Sequence, residues 1–301
     1  MKITLFSLFL FVQFSLFSQS IYTDQKYDQI NRLTMTYADT LKTDIYYVPH
    51  RKEKQKAPVI LLVHGGGFYT GKRDGDLETR FAMEMAGRGY VVASMEYHLT
   101  RKGKKEGFGC DCPAPDKIET FKEAVTNIGQ AMEYLTKFSR EFNFDPDKMV
   151  LAGSSAGAEA VLHAAYAKDH PSFNGILDKT QKIAAVISFS GALLDEVSLN
   201  NPEIPAFLVH GTDDQLVPYG TAPHHFCAED RPGYIRLKGS GPIADALSAS
   251  GESMALYTVE GGGHEWANKG YDLTPEISAF LYKLFQRGVA GQLREVIEAK
   301  P

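Results

Sequence analysis

The sequence predicts an α/β fold with a mostly parallel central sheet, helices on both faces and a small lid built from loops. Two observations predict it. Strand-like and helix-like segments alternate from about residue 33 to 288, the pattern that builds a parallel sheet through helical crossovers. Pro58–Val63 is a continuous apolar run, as expected where both faces of a sheet are covered, and Tyr90–Met95 reads as the next buried strand. A composition of 44% hydrophobic and 23% charged residues fits a globular chain with a buried core. No internal repeat, low-complexity tract or linker divides the 301 residues, so residues 21–301 are expected to form a single domain.

Leu33–Thr36 and Ile45–Val48, separated by polar residues, read as an antiparallel pair leading into the strand Pro58–Val63. Helical spacing of Leu77, Phe81 and Met85 follows, with Gly89 as its stop. After Tyr90–Met95 comes a polar loop. Ile118, Phe121, Val125, Ile128, Met132, Leu135 and Phe138 then keep three- and four-residue spacing, one stripe on a long helix. Asp145-Pro146-Asp147 turns the chain into the strand Met149–Ala152. A helix over Ala156–Ala167 and strands at Ile183–Phe189 and Ala206–His210 come next. The strand Met254–Val259 precedes a helix from about Pro275 to Arg287. Val289, Leu293, Val296 and Ile297 predict one more short amphipathic helix at the end.

The first twenty residues read differently. Lys2 supplies one positive charge, Ile3–Phe17 is almost wholly apolar, and Ser18-Gln19-Ser20 offers a small-x-small cleavage pattern. Residues 1–20 therefore read as an export signal, and the mature chain is expected in the periplasm or outside the cell. The apolar run is short for a ~30 Å hydrocarbon core. A net charge of −5 gives no electrostatic reason to bind nucleic acid or an anionic membrane. Three Cys are too few to build a disulfide scaffold.

Two motifs carry chemistry. Gly153-Ser154-Ser155-Ala156-Gly157 falls between a predicted strand and a predicted helix, the context in which G-x-S-x-G lifts a serine onto a sharp turn as a nucleophile. Ser155 is the residue that fits; alone, such a sequence is equally a helix-capping turn. His64-Gly65-Gly66-Gly67-Phe68 follows the strand ending at Val63. Three successive glycines cost backbone entropy, and they make sense where main-chain N–H groups must crowd a ligand. No Lys-Ser/Thr follows to make a phosphate loop, and no G-x-G-x-x-G spacing is present.

With these motifs the chain resembles an α/β-hydrolase, near the carboxylesterases that carry an HGGG loop, the hormone-sensitive-lipase-like and carbohydrate-esterase-like groups. The resemblance spans roughly Leu33 to Arg287. It implies that Gly66, Gly67 and Ala156 supply oxyanion-hole amides and that His64 holds the loop. Two departures stand out: Glu96-Tyr97-His98-Leu99 replaces the usual aspartate-Tyr-Arg-Leu, and the stretch before Pro58 is short for a helical cap. The fold orders its triad as Ser, acid, His. His210-Gly211-Thr212-Asp213-Asp214-Gln215-Leu216-Val217-Pro218 matches the family's H-G-T-x-D-x-x-V-P loop and places the acid at Asp214, with Asp195 and Glu196 as second choices. Gly261-Gly262-Gly263-His264-Glu265-Trp266 follows the last core strand, where the fold presents its histidine, His264. The implied chemistry is acyl transfer through an acyl-enzyme, which needs neither metal nor cofactor. His224-His225 beside Cys227 lacks a ligand set with metal-site spacing.

Phe68 and Trp266 are the candidates for contacting the substrate; for Trp266, core packing is the competing role. The loops Gly103–Pro115 and Thr221–Ala246 both leave the carboxyl ends of strands, so a bridge from Cys227 to Cys110 or Cys112 is geometrically reasonable in an exported protein. Exported hydrolases of similar appearance act on acetyl or feruloyl groups of plant polysaccharides, which makes a small ester or an acylated glycan the implied substrate. Two other readings are a prolyl-oligopeptidase-like peptidase, which shares the H-G-T-x-D loop, and a catalytically silent binding module on the same fold.

Overall fold

The computed structural model describes residues 22–51, 55–200 and 202–299. The expected export signal, residues 1–20, lies outside them. Among the described residues nine strands form one sheet: β1 (Asn31–Ala38), β2 (Leu41–Tyr47), β3 (Ala57–Val63), β4 (Val91–Met95), β5 (Phe144–Ser154), β6 (Ala185–Phe189), β8 (Ala206–Gly211), β11 (Met254–Glu260) and β12 (Gln292–Glu298). Their spatial order is β1-β2-β4-β3-β5-β6-β8-β11-β12. The β1/β2 and β2/β4 pairs are antiparallel; every later pair is parallel.

Among the described residues six helices pack around the sheet: α1 (Asp76–Gly87), α2 (Ala114–Lys137), α3 (Ala156–Tyr166), α4 (Ser240–Ser250), the single turn α5 (Trp266–Lys269) and α6 (Thr274–Arg287). The two-residue period of a strand divides the core between the two faces. On β3, Val59, Leu61 and Val63 join Phe121 and Val125 of α2, Val161 of α3 and Leu247 of α4. Ile60 and Leu62 of the same strand meet Phe81 and Met85 of α1 and Phe280 and Leu281 of α6 on the other face. Both layers are fully enclosed, which is why β3 reads as an unbroken apolar run. Among the described residues no helix is long and apolar enough to cross a membrane.

The chain end departs from expectation. Residues 292–298 form β12, parallel to β11 from Met254↔Gln292 to Glu260↔Glu298, instead of a helix. The spacing of Val289, Leu293, Val296 and Ile297 suits a helix, but a helix needs a surface for its apolar face. Val289, Leu293 and Val296 are 54%, 43% and 67% exposed, so no such face is buried. What the core offers is the edge of β11, whose backbone groups a strand satisfies. Gly288 and Gly291, at φ 75° and 80°, turn the chain back from α6 to reach it.

The loops beyond the strand ends also contain structure without a sequence period. β7 (Ala192–Leu194), β9 (Thr221–Pro223) and β10 (Arg236–Gly239) make a small antiparallel sheet in the order β7-β10-β9. Segments this short show no alternation. α4, rich in Ser, Gly and Ala, buries Ile243, Ala244 and Leu247 but has too weak a stripe to be read in advance.

Candidate active site

The tight junction between β5 and α3 creates the centre of the site. Ser155 sits between them at φ 51° and ψ −122°, a conformation that costs a residue bearing Cβ about 1–3 kcal/mol and concentrates at functional sites. Neighbouring backbone is drawn in around it. A Cβ on Gly157 would stand 2.2 Å from the Val63 carbonyl, so only glycine fits there. Ser155 is held from both sides: its N–H donates to Phe189 O at 2.8 Å, and its carbonyl accepts from the Glu159 N–H at 2.9 Å.

His264 and Asp214 come to Ser155 from loops after β11 and β8. Ser155 Oγ lies 2.8 Å from His264 Nε2, and His264 Nδ1 lies 2.7 Å from Asp214 Oδ2. The other carboxylate oxygen, Oδ1, accepts the N–H groups of Leu216 and Val217 at 2.8 and 3.0 Å. His210 Nε2 is a further 3.3 Å contact to Oδ2. Burial by itself raises the Asp214 carboxyl, but hydrogen bonding from His210 and His264 outweighs it and holds the group well below the usual carboxylate range. An ionised Asp214 only accepts, so His264 carries its proton on Nδ1 and turns the Nε2 lone pair to the Ser155 hydroxyl. That is the protonation pattern a general base requires.

The His64–Thr70 loop faces the same serine. Gly66 adopts φ 114°, and a Cβ there would lie 2.3 Å from the Thr70 carbonyl. Its own carbonyl accepts the N–H groups of Tyr69 and Thr70 at 3.1 and 3.0 Å, closing the turn. His64 braces the loop: Nδ1 is 2.7 Å from Gly65 O, its ring stacks on Tyr97 at 4.5 Å, and Tyr97 OH donates to His64 O at 3.0 Å. Burial lowers the His64 pKa, which keeps the ring neutral. Among the described residues, the amides of Gly66, Gly67 and Ala156 have no hydrogen-bond acceptor. All three residues line the cleft above Ser155, of about 800 Å³. Free amides at the start of α3 and in a glycine loop are suited to an oxyanion.

Phe68 and Trp266 do not line this cleft, contrary to expectation. Phe68 is fully buried, with its ring 4.7 Å from Phe108, 5.7 Å from Phe121 and 6.0 Å from Tyr97, so it supports the glycine loop from behind. Trp266 packs on the core layer of α1 and α6 and carries Lys269 over its ring. The helical turn begun by Trp266 directs Ala267 and Asn268 to the cleft instead, where Tyr69 and Leu216 join them. Asp195 pairs with Arg236 and Lys238, and Glu196 lies 3.7 Å from His170; neither meets His264. Asp213 is exposed.

The structure resolves the cysteine alternatives by joining Cys110 to Cys227 and leaving Cys112 a buried free thiol. The bridge ties the loop before α2 to the segment 224–227, so that Gly109 and His224 share the cleft wall. Sequence reasoning missed this wall: Glu159, His224 and Lys117 are buried together beside Ser155. The available signal was Glu159 itself, an acid four residues after the serine in a helix that is otherwise apolar but for His163. No group of His, Cys, Asp and Glu able to hold a metal occurs among the described residues.

Fold and site define an α/β-hydrolase of the serine-esterase class. The chain is 26% identical over 252 residues to Esterase LipI of Mycobacterium tuberculosis (strain ATCC 25618 / H37Rv), covering 74% of this chain and 67% of that protein. It is 20% identical over 212 residues to the same organism's Probable carboxylic ester hydrolase LipM, of which it spans 45%. The solved structure of Thermogutta terrifontis esterase 2 with butyrate bound superimposes with a TM-score of 0.60, at 19% identity, over 86% of this chain and 94% of that one. The BD-FAE family model matches residues 43–201, more than half of the chain, and this range contains the glycine loop and Ser155. The chain belongs to the BD-FAE family and is a carboxylic ester hydrolase.

Proposed function

We propose that the protein cleaves short-chain acyl or aromatic esters by acyl transfer to Ser155. The observation that supports this most is the continuous chain Asp214–His264–Ser155, with contacts of 2.7 and 2.8 Å, facing three unoccupied amides. His264 takes the hydroxyl proton as Ser155 Oγ attacks the ester carbonyl, and the amides of Gly66, Gly67 and Ala156 receive the oxyanion. The alkoxide leaves with the proton from His264. Water then enters, loses a proton to His264 and attacks the acyl carbonyl; the acyl–Oγ bond breaks, the acid leaves, and His264 returns the proton to Ser155 Oγ. The esterase 2 structures with butyrate and with propionate bound favour short acyl groups by analogy. Export through residues 1–20 and acyl groups on plant polysaccharides complete the reading; the Cys110–Cys227 bridge suits an oxidising compartment.

Hydrolysis of p-nitrophenyl esters from acetate to palmitate, by the protein and by Ser155→Ala, tests it. The expected result is turnover that is fastest for acetate or butyrate and absent in the variant. Equal turnover by Ser155→Ala, or none on any chain length while peptide amides are cut, would overturn it.

A further inference from the structure

Beside the nucleophile lies a second set of titratable side chains that acyl transfer to Ser155 does not employ. Glu159, one turn along α3 from Ser155, lines the cleft together with His224, and Lys117 of α2 contacts His224. Glu159 and His224 are each 1% exposed and Lys117 is 0% exposed. Lys117 Nζ donates to Gly233 O at 2.7 Å and to His224 Nδ1 at 3.1 Å. An ammonium can only donate, so Nδ1 of His224 holds the lone pair and Nε2 the proton. Nε2 lies 3.3 Å from Glu159 Oε1. The two are in contact but not aligned for a hydrogen bond, and among the described residues Oε1 has no donor. Burial drives the imidazole toward its neutral form, in keeping with this tautomer.

A buried carboxyl oxygen without a donor destabilises the free protein. The arrangement becomes favourable when a ligand brings the donor, and in the wall of this cleft that ligand is the substrate. Burial raises the Glu159 carboxyl well above its ordinary range, toward the neutral form, and Lys117 already places positive charge behind His224, so the missing partner is a neutral hydroxyl and not a second cation. We infer that Glu159, set against His224 and Lys117, is a specificity-determining residue that accepts a hydrogen bond from a hydroxyl carried by the ester substrate. The inference rests on the serine-esterase reading above and adds a substrate requirement to it. An aliphatic group in the same position leaves the carboxyl unsatisfied and is selected against.

Ester pairs that exchange a hydroxyl for a methyl group read this directly. On the alcohol side the pair is 2-hydroxyethyl acetate and propyl acetate; on the acyl side it is p-nitrophenyl hydroxyacetate and p-nitrophenyl propionate. Each kcat/KM is divided by the ester's hydroxide-catalysed rate constant to remove intrinsic reactivity. The protein should favour the hydroxylated member of one pair by about tenfold or more, and the pair that responds identifies the side of the ester bond. Glu159→Leu should lose that preference, whereas Glu159→Gln, whose amide carbonyl still accepts, should keep most of it. If Glu159→Leu does not fold by circular dichroism, Glu159→Ser, too short to reach the hydroxyl, should show the same loss. Turnover of p-nitrophenyl acetate with a ratio near one on both pairs overturns the subsite alone, as does an unchanged ratio in the Leu or Ser variant. No turnover of any ester overturns the esterase reading and the subsite with it.

Discussion

Replacing Asp214 by Asn is a sharp test of the proton arrangement, because the carboxylate's two oxygens do different work. Oδ1 is fixed by the Leu216 and Val217 amides at 2.8 and 3.0 Å. In Asp214→Asn those donors select the amide oxygen, which leaves the NH₂ group where Oδ2 now meets His264 Nδ1 at 2.7 Å. A donor there forces His264 into the opposite tautomer, with its proton on Nε2 facing Ser155. The ring can then no longer accept the serine proton, although all heavy atoms stay in place. A wrong tautomer with the oxyanion amides still in place costs about 10⁴ in kcat, or roughly 5.4 kcal/mol at about 1.36 kcal/mol per decade. The assay is kcat for p-nitrophenyl acetate at neutral pH, with Ser155→Ala as the floor and a thermal melt as the check on folding. A folded Asp214→Asn protein within tenfold of the parent would refute the tautomer argument.

Other consequences follow from the same geometry. Gly66→Ala forces a Cβ to within 2.3 Å of the Thr70 carbonyl at φ 114°, so kcat should fall about 10²-fold by displacement of the oxyanion amides; unchanged kcat would separate this loop from catalysis. Because folding lowers the Asp214 pKa, its ionisation stabilises the native state above the unfolded value near ~3.9 and the contribution disappears as pH falls through the lower folded value. The urea midpoint should therefore drop below about pH 4, and less steeply in Asp214→Asn. Cys110→Ser with Cys227→Ser opens a link between residues 117 apart, with an expected loss of about 2–4 kcal/mol in urea unfolding; an unchanged midpoint would show that the two loops hold together without it.

The sheet and the turn that carries Ser155 were legible because they obey strong local rules. β3 is apolar throughout since both faces are covered, and α2 shows its stripe because it buries only one side. Ser155 was marked by the glycines that let β5 and α3 approach, and Asp214 and His264 by motif and by order along the chain. The misreadings arose where local pattern and tertiary opportunity disagree. Residues 289–297 have helical spacing, yet the unsatisfied edge of β11 decides their conformation. Phe68 and Trp266 stand next to catalytic positions in sequence, but a side chain beside a tight turn points as readily into the core as into the cleft. The wall formed by Lys117, Glu159 and His224 draws on three separate segments, which no linear motif records.

The central claim is that Ser155 is the nucleophile, and the most direct measurement is covalent trapping. Diethyl p-nitrophenyl phosphate should transfer its phosphoryl group to the Ser155 oxygen, releasing one equivalent of p-nitrophenolate as His264 takes the hydroxyl proton. Peptide mapping by mass spectrometry should then find a single diethylphosphoryl adduct, on Ser155, and none in Ser155→Ala. An adduct on Ser154 or elsewhere, or stoichiometric labelling of the Ser155→Ala protein, would contradict the account.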